Sequence, residues 1–303
     1  MTTRPNEYSS TSVEIPTDQI PPFPYELQDA IRKNRLILFL GAGISCAAGA
    51  KDWNRITELI IDDYKNRNLI NNGELGQLSS EHYYTKLEFL KRRDSDLFQR
   101  RFSELLDIKE QAVIRKYGSL VRKLMKLKPV SIVTTNIDDL MQKSKIFDDD
   151  KYYYKDKCNP QKIHSFCVFC LHGNISNNIF VLSEKSRYYN NTDFRFFLDN
   201  LFGSFCILFL GYSLDRRDVL EGCHVNTASL GDSEFYHHAL VPSDQSFPRY
   251  ELEMSYKIKL HRYRNDSALD HGNFAKTVDN WVLNVAPGIE ISSPTEFPDV
   301  PRN

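Results

Sequence analysis

Leu36-Ile-Leu-Phe-Leu-Gly-Ala-Gly-Ile-Ser45 is a run of five apolar residues that stops abruptly at Gly41 and Gly43. A strand that is apolar at every position has both faces covered, the condition of a central strand in a parallel sheet. Glycines at its C-terminal end let backbone approach a phosphate closely, and the N-terminus of a following helix supplies amide donors and a positive dipole end. Ser45 can add a hydroxyl to the same oxygens. The same residues also fit a tight strand-to-helix turn with no ligand. The dehydrogenase fingerprint G-x-G-x-x-G is not met, because Cys46 occupies the third glycine position. Nor does an acidic residue close a second strand about 20 residues later, so hydride transfer is disfavoured.

Three further runs of the same kind follow. Val130–Thr134 leads into Thr135-Asn136-Ile137-Asp138, Phe166–Leu171 into His172-Gly173, and Phe205–Leu210 into Gly211-Tyr212-Ser213. Ile179–Leu182, His238–Val241 and Lys257–Leu260 are weaker strand candidates, and Tyr25–Arg35 reads as a short helix. All four strong strands carry polar residues or glycine at their C-terminal ends, the edge at which open α/β sheets bind ligands. Between 54 and 128 the pattern is helical. Val113, Ile114, Tyr117, Leu120, Val121, Leu124 and Met125 recur at helical spacing, with Arg115, Lys116, Arg122, Lys123, Lys126 and Lys128 elsewhere and Pro129 closing the helix. That stretch exceeds a simple crossover and is expected to be a small inserted helical module. Residues 1–24 and 289–303 are expected to be flexible ends around one α/β domain over 25–288.

Several of these residues can do chemistry. Asn136 and Asp138, two apart at a strand end, suit recognition of an amide and a ribose, and equally suit an Asx-type cap for the next helix. His172 suits a general base as a residue type, although a lone histidine at a strand end is more often structural. His164, His237, His238 and His271 have no comparable context and read as structural.

In content and order, Gly41-Ala-Gly-Ile-Ser45, Thr134-Thr-Asn-Ile-Asp138, His172-Gly173 and Gly211-Tyr-Ser213 resemble the sirtuin (SIR2) superfamily. The resemblance covers about 36–220, with a weaker echo to 283. It implies a Rossmann-like parallel sheet covered by helices, the sirtuin fold, with NAD⁺ as substrate. It also implies that Gly41, Ala42, Gly43 and Ser45 would hold the phosphates, and that Gly211 and Ser213 would line the adenosine side. Asn136 would order the nicotinamide ribose and a water, Asp138 would bind the carboxamide, and His172 would be the general base. Asp52 and Trp53 look like the acidic and aromatic residues of the family's cofactor loop. The arginine that follows that aromatic in the family is Asn54 here, with Arg55 one place later, which leaves Arg55 without a clear role.

Deacylating members usually hold a structural zinc with two C-x-x-C pairs after the histidine. Here the one such pair, Cys167 and Cys170, precedes His172, and strand alternation would send its thiols to opposite faces. Cys206 and Cys223 remain beyond it, so neither a zinc ribbon nor bound zinc is expected. Thr135, counted here with the NAD⁺-contacting residues, stands where deacylases usually carry Gln. A Thr-Thr-Asn-x-Asp-Asp motif without a zinc module resembles the bacterial anti-phage SIR2-like proteins, which hydrolyse NAD⁺ to nicotinamide and ADP-ribose. That resemblance implies a homo-oligomer working beside a separately encoded sensor or ATPase, such as a DNA-translocating one. Alternatives are an NAD⁺-dependent protein deacylase and a non-enzymatic module binding NAD⁺ or ADP-ribose.

The 303 residues carry a net charge of −1, which provides no global attraction to nucleic acid or anionic lipid. Nucleic-acid contact would need a local patch such as Arg115–Lys128, for which a solvated helix face is the plainer account. No run of about 20 apolar residues spans a membrane, and six cysteines are too few for a disulfide scaffold. No signal peptide is legible at the start, and a cytoplasmic location is expected.

Overall fold

The computed structural model describes residues 20–154, 158–175, 179–180, 191–214, 236–245, 247, 249–264 and 272–285. Most of the expected flexible lead-in, the expected tail, His271, Cys223 and the end of the Ile179–Leu182 candidate lie outside them.

Seven strands form one parallel sheet in the order β3-β4-β2-β1-β7-β8-β9. They are β1 (Leu36–Leu40), β2 (Ser131–Thr134), β3 (Tyr152–Tyr154), β4 (Val168–Cys170), β7 (Cys206–Leu210), β8 (His237–Pro242) and β9 (Ile258–Tyr263). Two-residue strands β5 (Gly173–Asn174) and β6 (Ile179–Phe180) pair antiparallel as a separate ribbon. The architecture is α/β and Rossmann-like. β1, β2, β4, β7, β8 and β9 fall on the expected runs, with ends displaced by a few residues, and β6 falls on the start of the Ile179–Leu182 candidate, whereas β3 and β5 match no strand expected from the sequence.

Continuous apolarity in the strands follows from two cores. Leu36, Leu38 and Leu40 of β1, with Cys206, Leu208 and Leu210 of β7, face one core. That core is closed by helices α1 (Tyr25–Arg32), α2 (Ala42–Ala48), α7 (Gln111–Met125), α8 (Leu140–Lys143) and α11 (Gly272–Val285). The alternate residues Ile37, Phe39, Ile207 and Phe209 face a second core under α9 (Thr192–Ser204) and α10 (Arg249–Tyr256). Cys167 belongs to the second core and Cys170 to the first, so the two thiols lie on opposite faces of the sheet.

Helices α3 (Trp53–Asn66), α4 (Asn72–Ser79), α5 (Tyr83–Arg93) and α6 (Ser95–Leu106) surround a third core built on Ile60, Tyr64, Leu90, Phe98 and Phe102. Two details differ from the sequence reading. Helix α7, assigned there to the inserted module, places Ile114, Tyr117, Val121 and Leu124 in the core beneath the sheet. Residues just before Tyr25, expected in the lead-in, are packed against α11. Pro21 accepts a 2.7 Å hydrogen bond from Trp281 Nε1, and Phe23 meets the Trp281 ring edge-on at 5.5 Å.

Strand order reverses between β1 and β7, and the crevice at this reversal is where doubly wound sheets bind ligands. The two loops leaving β1 and β7 touch backbone to backbone there. Gly41 N–H donates to Leu210 O at 2.9 Å and Gly43 N–H to Gly211 O at 2.8 Å. A Cβ on Gly41 would lie 2.5 Å from Gly211 O, and one on Gly211, whose φ is +61°, would lie 2.5 Å from Ile44 N.

Gly211→Ala therefore combines a left-handed backbone with a clash that only backbone movement relieves. It is expected to destabilise the fold by about 3 kcal/mol or more, a fall in melting temperature on the order of 10 °C. Gly203→Ala, in α9 with open space around its Cβ, should stay within about 1 kcal/mol of wild type. Thermal denaturation of the two variants side by side checks both values.

Candidate active site

Register brings the candidate residues to one edge. Leu40 pairs with Thr134 on one side and Leu210 on the other, so Gly41, Thr135 and Gly211 leave the sheet together. Thr134 pairs with Cys170, and Leu171 N–H continues that ladder to Thr134 O at 2.8 Å. His172 thus emerges beside the Thr135–Asn136 segment and is buried, as are Thr135 and Asn136. The β5–β6 ribbon begins at the next residue, Gly173.

A chain of hydrogen bonds fixes the polar groups. Thr134 Oγ1 donates to Leu40 O at 2.8 Å and accepts Asn136 N–H at 3.0 Å, turning the backbone out of the sheet. Asn136 Nδ2 donates to Gly41 O at 3.2 Å and to Ser45 Oγ at 3.1 Å. Ser45 Oγ in turn donates to Asp138 Oδ2 at 2.8 Å. Asp138 Oδ1 accepts Leu140 N–H at 3.1 Å, and its backbone carbonyl accepts Asn174 Nδ2 at 3.1 Å.

The orientation of the Asn136 amide follows from its neighbours. Gly41 O can only accept, so the NH₂ faces it, and Ser45 takes the second proton. Oδ1 is then left over. It is buried and has no hydrogen-bond partner among the described residues, although Asn136 is only 6% exposed. A buried acceptor without a donor is costly and marks a place for a bound hydroxyl or water.

The other site residues expected from sequence are placed as follows. Ala42 opens helix α2, with Gly41 as its N-cap. The Gly43 amide is committed to Gly211 O, so the three glycines are explained by loop-on-loop packing before any phosphate is considered. Ser213 lies exposed just beyond Gly211. Asp52 caps α3 by accepting Arg55 N–H at 2.7 Å. Trp53 stacks on Tyr83 at 5.7 Å within the helical module, and Arg55 pairs with Glu58 at the surface. Among the described residues no hydrogen bond joins Asp52 or Trp53 to the Ser45–Asn136–Asp138 chain, but the Asp52 and Asp138 charges both act on Cys46. Burial, together with these two carboxylates, pushes the Cys46 thiol up to about 12, which keeps it neutral. Sequence reasoning missed Asn174, buried against the Asp138 backbone. The signal was there, since Asn174 follows His172-Gly173 directly at the same strand end.

Among the described residues no group of three or more His, Cys, Asp or Glu is arranged to hold a metal ion, and no helix is long and apolar enough to cross a membrane. Residues 130–261 match the family model of the SIR2-like domain. That segment, similar to a SIR2-like domain, begins just before β2 and contains Asn136, Asp138, His172, Gly211 and Ser213. It is also similar to a solved structure described as "Structural Basis for the Mechanism and Regulation of Sir2 Enzymes". The two are 11% identical, with a TM-score of 0.44, over 86% of this chain and 97% of that one. No curated protein matches the chain.

Desolvation lifts the Asp138 carboxyl from the ordinary Asp range to about 6; the adjacent Asp139 charge adds to the rise, while hydrogen bonds from Ser45 and Leu140 oppose it. The folded state then binds a proton more tightly than the unfolded chain, so this group's contribution to stability is present at low pH and lost as pH rises through about 6. The melting temperature of wild type should therefore fall relative to Asp138→Asn between about pH 4 and pH 7. Denaturation curves of the pair across that range check it. A difference that is flat with pH would remove the raised carboxyl.

Proposed function

We propose that the chain is an NAD⁺ glycohydrolase, which cleaves NAD⁺ to nicotinamide and ADP-ribose at the mouth of β1, β2, β4 and β7. The observation that carries this reading is the buried, unpartnered Oδ1 of Asn136 beside the Ser45–Asp138 pair. It offers an acceptor to a ribose hydroxyl or to the attacking water, inside the segment that matches the SIR2-like domain. The Asn136 amide protons are already taken, so its role is narrowed to accepting.

Nicotinamide in NAD⁺ is a cationic leaving group, and the bond from its ring nitrogen to the ribose anomeric carbon can break with little acid assistance. The electron pair of that bond leaves with nicotinamide, which departs neutral. A water oxygen then bonds to the anomeric carbon, and its proton passes to His172 as general base. Asn136 Oδ1 orients the ribose or the water, and Asp138 holds the carboxamide. The water-excluded position of Asn136 and His172, both buried, strengthens each of these contacts.

The wider setting follows from the same resemblance. The Thr134-Thr-Asn-Ile-Asp-Asp139 motif supports an anti-phage effector that depletes NAD⁺, acts as a homo-oligomer and answers to a separate sensor or ATPase. The thiols of Cys167 and Cys170, on opposite faces of the sheet, make poor joint ligands, which supports a chain that works without a zinc ribbon.

Nicotinamide release from NAD⁺ without any acyl-peptide tests the proposal. Wild type is expected to release it, with His172→Ala slower by about 10²–10⁴-fold and Asn136→Ala by about 10²-fold. Release that requires an acyl-lysine peptide would instead make the chain a deacylase. NAD⁺ binding measured by calorimetry, with no turnover in the presence of its partner protein, would make it a binding module.

A further inference from the structure

The segment that carries Asn136 and Asp138 is held from the side of the helical module as well as from the sheet. Ile137, between the two polar residues, is 2% exposed and belongs to the core formed by α3–α6, as does Ile175. Ile175 N–H donates to Ile137 O at 2.8 Å, so both enter that core as one ledge.

An ionic tie lies beside the ledge. Lys143 closes the single turn of α8 that follows Asp138 and Asp139, with its own N–H bonded to Asp139 O at 2.8 Å. Its ammonium is 2.6 Å from Asp107 Oδ1, 2.5 Å from Ile108 O and 3.0 Å from Asp139 Oδ2. Three donors meet three oxygens, which saturates the group. Asp107 caps α6 and Ile108 follows it, so two of the oxygens belong to the joint at which the module ends. The third belongs to the residue after Asp138.

Exposed ion pairs hold little in place. This one differs, because the Asp139 side chain is only 4% exposed and one acceptor is a backbone carbonyl that cannot swing away.

We propose that Lys143 is a positioning residue, tying the end of the helical module to α8 so that the seating of the module sets the position of Asp138 and Asn136. The module is then a control element of the site, and a partner that shifts α6 would move the catalytic segment. The catalytic consequence rests on the NAD⁺ hydrolase reading, whereas the mechanical tie does not.

Full-length Lys143→Met, Lys143→Arg and Asp107→Asn test it. Lys143→Met leaves Asp139 buried without its counter-ion and can weaken folding. Asp107→Asn removes the charge of one of the module's two oxygens at a half-exposed position, weakening the tie while Lys143 still pairs with Asp139, so it keeps the test open. Hydrogen exchange over 136–143 needs no substrate. It is expected to quicken about tenfold in Lys143→Met and Asp107→Asn and to stay near wild type in Lys143→Arg, while the core helices of the module exchange as before. In steady-state NAD⁺ cleavage, well below each melting temperature, kcat/KM should fall about 10-fold or more through a raised KM and a lowered kcat, with Lys143→Arg restoring most of it. Unchanged exchange at 136–143 in both disrupting variants overturns the tie. Faster exchange with KM and kcat unmoved overturns the positioning role. Faster exchange with a wild type that neither binds nor cleaves NAD⁺ overturns the hydrolase reading and leaves the tie standing.

Discussion

The backbone contact between the loop after β1 and the loop after β7 is the constraint on which the site depends. These loops are far apart in sequence, yet Gly41 and Gly43 lie against Gly211 with no room for a side chain on any of the three. The amide bonds of Gly41 to Leu210 O and of Gly43 to Gly211 O lock the approach. Helix α2 then starts at a fixed height above the sheet, and Ser45, one turn in, comes within reach of both Asn136 and Asp138. Were the loops spread by a methyl group, the serine would lose its place first.

From that fixed serine the rest of the polar arrangement follows by counting donors. Ser45 has one proton, which goes to Asp138, and its lone pairs receive Asn136. The amide of Asn136 is thereby spent on protein, and its oxygen is left buried without a donor among the described residues. The carboxyl of Asp138 is stabilised as an anion by Ser45 and Leu140, but less than burial destabilises it, so it titrates near 6 rather than near 4. A carboxyl poised there accepts a hydrogen bond from a carboxamide above that pH and donates one below it.

Much of this was legible in the sequence, and the gaps have physical causes. Continuous apolar runs located β1, β2, β4 and β7, because strands covered on both faces need no alternation. Their polar ends named Asn136, Asp138, His172 and Gly211, because only the C-terminal edge frees side chains from the ladder. Pattern could not separate α7 from α3–α6, since an amphipathic helix shows that it has a buried face but not which core receives it. Pattern also could not see that Gly43 serves its partner loop, because that partner, Gly211, is remote in sequence. Asp52, expected in a cofactor loop, is also the N-cap of α3, a role that any Asp before a helix can fill and that pattern alone does not distinguish. Asn174 and Lys143 were missed because their partners are backbone carbonyls and carboxylates fixed only by the fold.

The inserted module presents a mechanical problem that the strand-end geometry solves. A helical excursion between two central strands would be a loosely hinged appendage if it met the sheet only through its two connections. Side chains at a strand end still point alternately to opposite sides. Asn136 and Asp138 both turn toward Ser45, so Ile137 between them must turn away, and it enters the module's core. The alternation that aims two polar groups at the crevice thus drives an apolar anchor into the insertion. A module held in this way cannot shift without moving the residues on either side of its anchor.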